Sequence, residues 1–180
     1  AHWPVVAAAK ESNQSLLDYL NKCYAGGKVR FARLSHQYKG LLAYKEDFSD
    51  LNFIREIDDF PNFISEMLAA IDDELADTVA IQSAPVADYF PQFLADNQLA
   101  LFPNTVLPRV WLGNDAIVSA HYDDSENIAC LVSGKRRFTL FPPEQVENLY
   151  VGPIDFTPAG APVSLVDFSN PDFDKFPKFR

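Results

Sequence analysis

The stretch VWLGNDAIVSAHYD, residues 110–123, decides the fold class of this chain. Its apolar residues form two short runs, 110–112 and 117–122, and a Gly-Asn-Asp turn signal lies between them. Short runs of β-branched and aromatic residues that turn residues interrupt are typical of strands. The stretch therefore predicts that β structure takes over from residue 99 onward.

The residues that follow predict a β-hairpin and then a loop. Residues 127–132 and 135–141 flank Ser133-Gly134, which is the spacing of a hairpin with a two-residue turn. Pro142-Pro143 ends this ladder because proline has no N–H to donate, and it favours one helical turn through Leu149. The tail after Val151 has little periodicity, so we expect it to be loop that either wraps on the core or awaits one to pack against.

Helical and alternating patterns before residue 99 predict mostly helices. The predicted elements are a helix at 11–24, a strand at 29–34 with one wet face, a helix opened by Phe60, a short strand at 80–82 and a helix at 86–94 that Pro91 ends or kinks. The helix that Phe60 opens has an apolar stripe made of Phe63, Ile64, Met67, Leu68, Ile71 and Leu75. We therefore expect one α+β domain over residues 1–180, with a helical part at 1–98 and a β part at 99–180 that is a sandwich or jelly roll.

Composition and charge limit the classes of function. The chain has 180 residues, of which 48% are hydrophobic, and its net charge of -10 argues against nucleic acid and anionic membranes as partners. It has two cysteines, Cys23 and Cys130, which give no disulfide framework and favour a cytoplasmic, reducing location. No apolar run approaches the length of a membrane span, and residues 1–10 do not resemble a signal peptide.

One pair of residues in the opening stretch has a spacing with chemical meaning. On a strand, His121 and Asp123 point to the same face and Tyr122 to the other. An imidazole and a carboxylate on one face, joined by a second histidine, form the facial triad of non-haem Fe(II) oxygenases. The alternative is a half-exposed strand on which His121 and Asp123 hydrogen-bond each other or water.

The His-x-Asp pair is part of a longer pattern, which continues through residues 127–130, 134–145, 149–153 and 171–173, with a looser match at 48–53. This pattern resembles the cupin-like, JmjC-related 2-oxoglutarate dioxygenases, the class that includes the asparaginyl hydroxylase that inhibits hypoxia-inducible factor. The resemblance implies N-terminal helices packed on a double-stranded β-helix. It also implies Fe(II) and 2-oxoglutarate as cofactors.

Carried over residue by residue, the resemblance makes His121 and Asp123 iron ligands and places Asn127 beside the cosubstrate. The family's cosubstrate-anchoring lysine falls at Arg136, with Lys135 just before it. A guanidinium can hold a carboxylate with two hydrogen bonds, but it is longer than lysine, so succinate or another 2-oxo acid stays open as the ligand. Strand alternation puts Arg136 on the face opposite to Lys135 and Arg137, and we favour Arg136 as the anchor.

The chain departs from the family pattern in two places. Val118 stands where the hydroxylases have a cosubstrate-binding threonine, and the family's second metal histidine lies on a later strand, beyond Arg180. The other histidines, His2 and His36, do not match the motif. We therefore expect two of three iron ligands and a barrel that is incomplete at its C-terminus, with open strand edges that favour a homodimer.

Two functions of different classes follow. The first is an Fe(II)- and 2-oxoglutarate-dependent oxygenase that hydroxylates a protein side chain or a small molecule. The second is a non-catalytic cupin-like binding module, which the short chain and Val118 favour. A third function, nucleic-acid recognition by a regulator, conflicts with the net charge of -10.

Overall fold

The computed structural model describes residues 3–99, 101 and 105–179. Its helices are α1 (Pro4–Glu11), α2 (Asn13–Cys23), α3 (Phe60–Ala69), α4 (Val86–Tyr89) and α5 (Pro91–Asp96), with 3-10 turns at His36–Tyr38 and Pro143–Asn148. Its strands are β1 (Lys28–Leu34), β2 (Leu41–Leu42), β3 (Ile54–Asp59), β4 (Thr78–Pro85), β5 (Arg109–Gly113) and β6 (Ile117–Val118). None of the described helices is long and apolar enough to cross a membrane.

Four of the strands form one antiparallel sheet in the order β3-β1-β4-β5. Strands β1, β3 and β4 come from residues 1–98, the part that we expected to be mainly helical, so helices and sheet alternate along the chain. Strand β2 pairs with β6 in parallel, which aligns Leu42 with Val118. Helices on an antiparallel sheet agree with the predicted α+β class.

Strand β1 separates two hydrophobic clusters, because successive side chains of a strand point to opposite faces. Val29 and Phe31 belong to the larger cluster, in which the sheet packs against helices. Ala32 and Leu34 belong to the smaller cluster. The prediction of one wet face on this strand is therefore wrong beyond Arg30, since the second face is buried where the smaller cluster covers it.

The two clusters recruit residues from distant parts of the chain. The larger cluster contains Val5, Leu17, Leu20, Cys23, Val29, Phe31, Phe60, Phe63, Ile64, Met67, Val79, Ile81, Val86 and Phe90. The smaller cluster contains Ala32, Leu34, Leu42, Tyr44, Leu51, Phe53 and Val163. The tail that we expected to be loop on the core does wrap on it, because Val163, Val166 and Phe176 are buried.

The N-terminal helical region differs from the single helix predicted at 11–24. Two helices are present, and Ser12 lies between them in an extended conformation. The Ser12 hydroxyl accepts a hydrogen bond from the Ser15 backbone N–H, so Ser12 caps the second helix and ends the first. Further along the chain, the break expected at Pro91 is confirmed, since α4 ends at Tyr89 and α5 begins at Pro91.

The apolar stripe predicted after Phe60 is only partly core. Phe63, Ile64 and Met67 are buried, but the helix ends at Ala69, and Ile71 and Leu75 are exposed. The Asp73 carboxylate accepts a hydrogen bond from the Leu75 backbone N–H. This local turn competes with helix continuation, which explains why the stripe does not extend further.

The hairpin predicted from residues 127–132 and 135–141 is absent as a paired ladder among the described residues. A hairpin of two strands is marginal in water without further packing. Instead, Phe141 packs against Phe168 and Phe179 of the tail, so side-chain contacts hold the end of the second arm. The 3-10 turn Pro143–Asn148 then follows, as the Pro142-Pro143 signal predicted.

Arg33 is a charged residue on the helix-covered face of β1. Its Nε donates to Glu56 Oε2 at 3.0 Å, and its Nη2 donates to Glu66 Oε2 at 2.9 Å, while Nη1 pairs with the other Glu66 oxygen. The Arg33 guanidinium holds the pKa of the Glu66 carboxyl below its usual range. The network thus joins β1 to both β3 and α3 at the edge of the larger cluster.

Replacing Arg33 with methionine is expected to lower the free energy of unfolding by about 1–2 kcal/mol near pH 7, because charge-assisted hydrogen bonds at a partly exposed site contribute modestly. Glu66 has a lowered pKa in the folded state, so its contribution is present at neutral pH and is lost as the pH falls through that value. The difference in unfolding free energy between Arg33→Met and the unsubstituted chain should therefore shrink as the pH is lowered from neutral into the acidic range, measured by urea unfolding. Arg30→Met, an exposed change on the same strand, is the control; an equal loss in both variants would contradict the role of the network.

Candidate metal centre

The segment that carries His121 continues from β6, and the smaller cluster fixes its path. After β6 ends at Val118, Ser119 is buried and His121 forms an isolated antiparallel bridge with Val163. The backbone N–H of Ser164 donates to the Ala120 carbonyl at 2.8 Å. His121 is therefore held by the tail, and the long strand predicted at 117–122 is two residues of ladder followed by one bridge.

The tail segment opposite His121 is itself fixed by polar contacts. The Ser164 hydroxyl donates to the Leu149 carbonyl at 2.5 Å, and Ser164 bridges Val151. The Tyr44 hydroxyl donates to the Pro153 carbonyl at 2.7 Å. Sequence reasoning missed these supports; their only signal was the β-branched Val163 in a segment otherwise without periodicity.

The His121 ring is oriented by its own backbone neighbour. Its Nδ1 lies 2.8 Å from the Ser119 carbonyl oxygen. Because a carbonyl can only accept, Nδ1 carries the proton, and Nε2 is left with a free lone pair. Nε2 is therefore the atom of His121 that can bind a metal ion.

The Asp123 carboxylate faces that atom. His121 Nε2 and Asp123 Oδ1 are 3.9 Å apart, and the side chains are 28% and 58% exposed. The second carboxylate oxygen, Oδ2, accepts a hydrogen bond of 2.9 Å from Asn127 Nδ2. The structure thus brings His121, Asp123 and Asn127 together at a site that is open to solvent on the aspartate side.

These residues fit part of an iron site. Two metal–ligand bonds of about 2.0–2.2 Å each can span the separation of Nε2 and Oδ1. One neutral imidazole and one carboxylate are also the donor types of the non-haem Fe(II) triad. Within the described part of the chain, no group of three or more His, Cys, Asp and Glu side chains could hold a metal ion. His36 pairs with Asp77 elsewhere, and His2 lies outside the described residues.

The residues expected to anchor a cosubstrate lie apart from this pair. Lys135 and Arg136 are exposed, and the Arg136 guanidinium lies over the Phe138 ring at 5.2 Å from its centroid. Phe138 and Leu140 are 60% and 87% exposed, so Arg136 belongs to an uncovered, mainly apolar face. In residues 3–99, 101 and 105–179, no hydrogen bond or ion pair joins Lys135 or Arg136 to His121 or Asp123.

Two aromatic residues of the stretch 110–123 are on the surface. Trp111 is 51% exposed on β5, and Tyr122 is 63% exposed between the two candidate ligands. Neither side chain is therefore part of either hydrophobic cluster.

Comparison with known proteins gives one family. The family model described as cupin-like domain matches residues 1–180. The chain is 37% identical over 73 residues to JmjC domain-containing protein D of Dictyostelium discoideum, a match that covers 40% of this chain and 16% of that protein. It is 27% identical over 137 residues to JmjC domain-containing protein F of the same organism, covering 58% of this chain and 29% of that protein.

A plant protein shows a shorter match. Lysine-specific demethylase JMJ32 of Arabidopsis thaliana is 42% identical over 44 residues, which cover 24% of this chain and 13% of that protein. The matched residues thus span less than a third of the length of each of these relatives. Because the family model matches residues 1–180, the chain belongs to the cupin-like domain family and is related to its JmjC domain-containing members.

Proposed function

We propose that this chain carries two iron ligands of an Fe(II)- and 2-oxoglutarate-dependent oxygenase that hydroxylates a protein side chain or a small molecule. The observation that carries the proposal is the 3.9 Å separation of His121 Nε2 and Asp123 Oδ1. Membership of the cupin-like domain family and similarity to JmjC domain-containing proteins support it, since such proteins are typically oxygenases of this type. The double-stranded β-helix and the likeness to the asparaginyl hydroxylase are finer parts of the same proposal.

His121 and Asp123 would hold the metal through Nε2 and Oδ1. The bound iron and 2-oxoglutarate would supply the activation of O₂, which no protein side chain provides. The hydrogen bond from His121 Nδ1 to the Ser119 carbonyl fixes the orientation of the ring and leaves Nε2 as the nitrogen that would bind the metal. The Asp123 carboxylate supplies one negative charge, which partly offsets the two positive charges of a divalent metal ion.

Arg136 is the proposed anchor for the cosubstrate. A guanidinium binds a carboxylate through two parallel N–H groups, and its contact with the Phe138 ring restrains the side chain. Lys135, the residue before Arg136, is the alternative anchor, because its ammonium group can also pair with a carboxylate. Succinate or another 2-oxo acid fits the same chemistry, because each presents a carboxylate at one end.

A third protein ligand is part of the proposal. The described residues provide the donors His121 and Asp123, and the family resemblance implies a second histidine as the third ligand. The exposed apolar residues Ile128, Leu131, Phe138 and Leu140 support the presence of further covering structure, because large uncovered patches are rare in stable monomers. Additional strands of the same polypeptide or a second copy of the chain would cover them.

The test is the conversion of 2-oxoglutarate to succinate by the full natural polypeptide that contains residues 1–180, in the presence of Fe(II) and O₂. We expect succinate formation that His121→Ala and Asp123→Ala each abolish. His36→Ala and Asp124→Ala, which remove an imidazole and a carboxylate elsewhere, should leave it unchanged. Equal turnover in His121→Ala and the unsubstituted protein would refute the assignment.

The second candidate function is a non-catalytic cupin-like binding module. The observation that favours it is the set of two metal donors, instead of three, among the described residues. The same experiment separates the two functions. A module would bind 2-oxoglutarate or another carboxylate, with an affinity that depends on Arg136, and would form no succinate in any variant.

A further inference from the structure

Asn127 contacts one of the two candidate ligands directly. Its Nδ2 donates to Asp123 Oδ2 at 2.9 Å, across four residues of chain. Between them, residues 124–126 form no helix or strand. The contact therefore does not follow from regular secondary structure, and the two side chains meet because the backbone turns back after Asp123.

Without this contact, nothing among the described residues restrains the Asp123 carboxylate by a hydrogen bond. The side chain is 58% exposed, so its carboxylate would rotate in solvent. Rotation would exchange the two oxygens and move both away from His121 Nε2. If the Asp123 side chain becomes ordered only when the metal binds, its conformational entropy is lost at that step. This loss lowers the affinity for the metal.

The two candidate ligands are restrained in the same manner. His121 has Nδ1 fixed by the Ser119 carbonyl, which leaves Nε2 free. Asp123 has Oδ2 fixed by the Asn127 amide, which leaves Oδ1 at 3.9 Å from Nε2. In each residue, one side-chain atom is held by a neighbour in the chain. The other atom, Nε2 or Oδ1, faces the position between them where a metal ion would bind.

We propose that Asn127 is a positioning residue, which holds Asp123 Oδ2 so that Oδ1 alone binds the metal. The inference rests on the proposed function, because it needs a metal ion between His121 and Asp123. It differs from the role that the family resemblance gives to Asn127, which is contact with the cosubstrate. In the role proposed here, Asn127 acts through Asp123 and should matter even when no 2-oxo acid is present.

The test is Mn(II) affinity in the absence of any cosubstrate, measured by the loss of the free Mn(II) electron paramagnetic resonance signal. Asn127→Leu, which keeps the size of the side chain and removes its donor, is expected to weaken binding about 10-fold, the lower end of the effect of losing a partner of a metal ligand. Ser125→Ala is the matched control, since the Ser125 hydroxyl donates to Asp124, a carboxylate beside the site. It should bind Mn(II) as the unsubstituted chain does.

A double-substitution cycle separates positioning from a general structural effect. In an Asp123→Ala background, Asn127→Leu should cause no further loss, because the group on which Asn127 acts is gone. A further loss there, or unchanged affinity in Asn127→Leu alone, would overturn the inference. If the unsubstituted chain binds no Mn(II) at all, the metal site of the proposed function is refuted before the role of Asn127 is tested.

Stability is the second control. The urea midpoints of all variants are measured alongside the Mn(II) affinities. If Asn127→Leu lowers the urea midpoint together with the Mn(II) affinity, that result also counts against positioning.

Discussion

Replacing both His121 and Asp123 with alanine is expected to weaken Mn(II) binding at least about 100-fold, because both donors of the site are removed and each ligand contributes coordination energy. The described part of the chain offers no group of three or more His, Cys, Asp and Glu side chains that could take over the ion. Calorimetric titration with Mn(II), under argon and without cosubstrate, measures the change. Mn(II) serves because it takes the same nitrogen and oxygen ligands and does not oxidise readily.

The matched control for this experiment is the double variant His36→Ala with Asp124→Ala. It removes the same two residue types and the same charge from other positions, since His36 pairs with Asp77 and Asp124 accepts from Ser125. Its Mn(II) affinity should stay within about twofold of the unsubstituted chain, as expected for an exposed charge near but outside the site. Equal losses in the two double variants would mean that Mn(II) binds only through the general negative charge of the chain.

Replacing Gly40 with alanine is expected to lower the free energy of unfolding by at least about 3 kcal/mol, since both strained backbone and steric overlap contribute. Gly40 has a φ of +81°, and a Cβ at this position would lie 2.1 Å from the Asp115 carbonyl oxygen. The Gly40 carbonyl also accepts from the Ile117 backbone N–H at 2.8 Å, at the start of the pairing between β2 and β6. Separating Gly40 from Asp115 would disturb that pairing, so Mn(II) affinity should fall as well. Urea unfolding followed by circular dichroism measures the loss of stability.

Gly26→Ala is the control that separates the two contributions. Gly26 has a similar φ of +96°, but a Cβ there would meet no atom within 4 Å. Gly26→Ala should lower the free energy of unfolding by about 1–2 kcal/mol, which is the usual effect of placing an L-residue in a left-handed conformation. If Gly26→Ala and Gly40→Ala lose equal stability, the close approach of Gly40 to Asp115 is not what holds β2 against β6.

Local sequence patterns predicted those elements whose pattern and packing agree. The alternation at 29–34 identified β1, and the proline at position 91 located the break between α4 and α5. The pattern could not reveal why Arg33 lies on an apolar face, because its partners Glu56 and Glu66 are distant in sequence. Strand β3 was also missed, since four of its six residues are exposed, three are acidic, and its sequence gives no apolar face.

The candidate site was also partly predictable, because the spacing of His121 and Asp123 is a local pattern. An imidazole and a carboxylate two residues apart were expected to share a face, and the structure has them 3.9 Å apart. The prediction assumed a continuous strand, whereas Val163 and Ser164 of the tail hold this segment. That support comes from more than forty residues away, so no local pattern contains it. The roles of the pair as iron ligands, and of Arg136 and Lys135 as anchors, stay predictions.

Metal binding by His121 and Asp123 can be observed directly by ¹⁵N nuclear magnetic resonance of the histidine rings during addition of substoichiometric Mn(II). The paramagnetic ion broadens nuclei within a few ångströms, so we expect the Nε2 signal of His121 to disappear first. His36 and His2 should keep their signals, and Asp123→Ala should protect His121 from broadening. Broadening that begins at His36 or His2, or a His121 ring that Mn(II) leaves unchanged, would contradict the claim that His121 and Asp123 form a metal-binding pair.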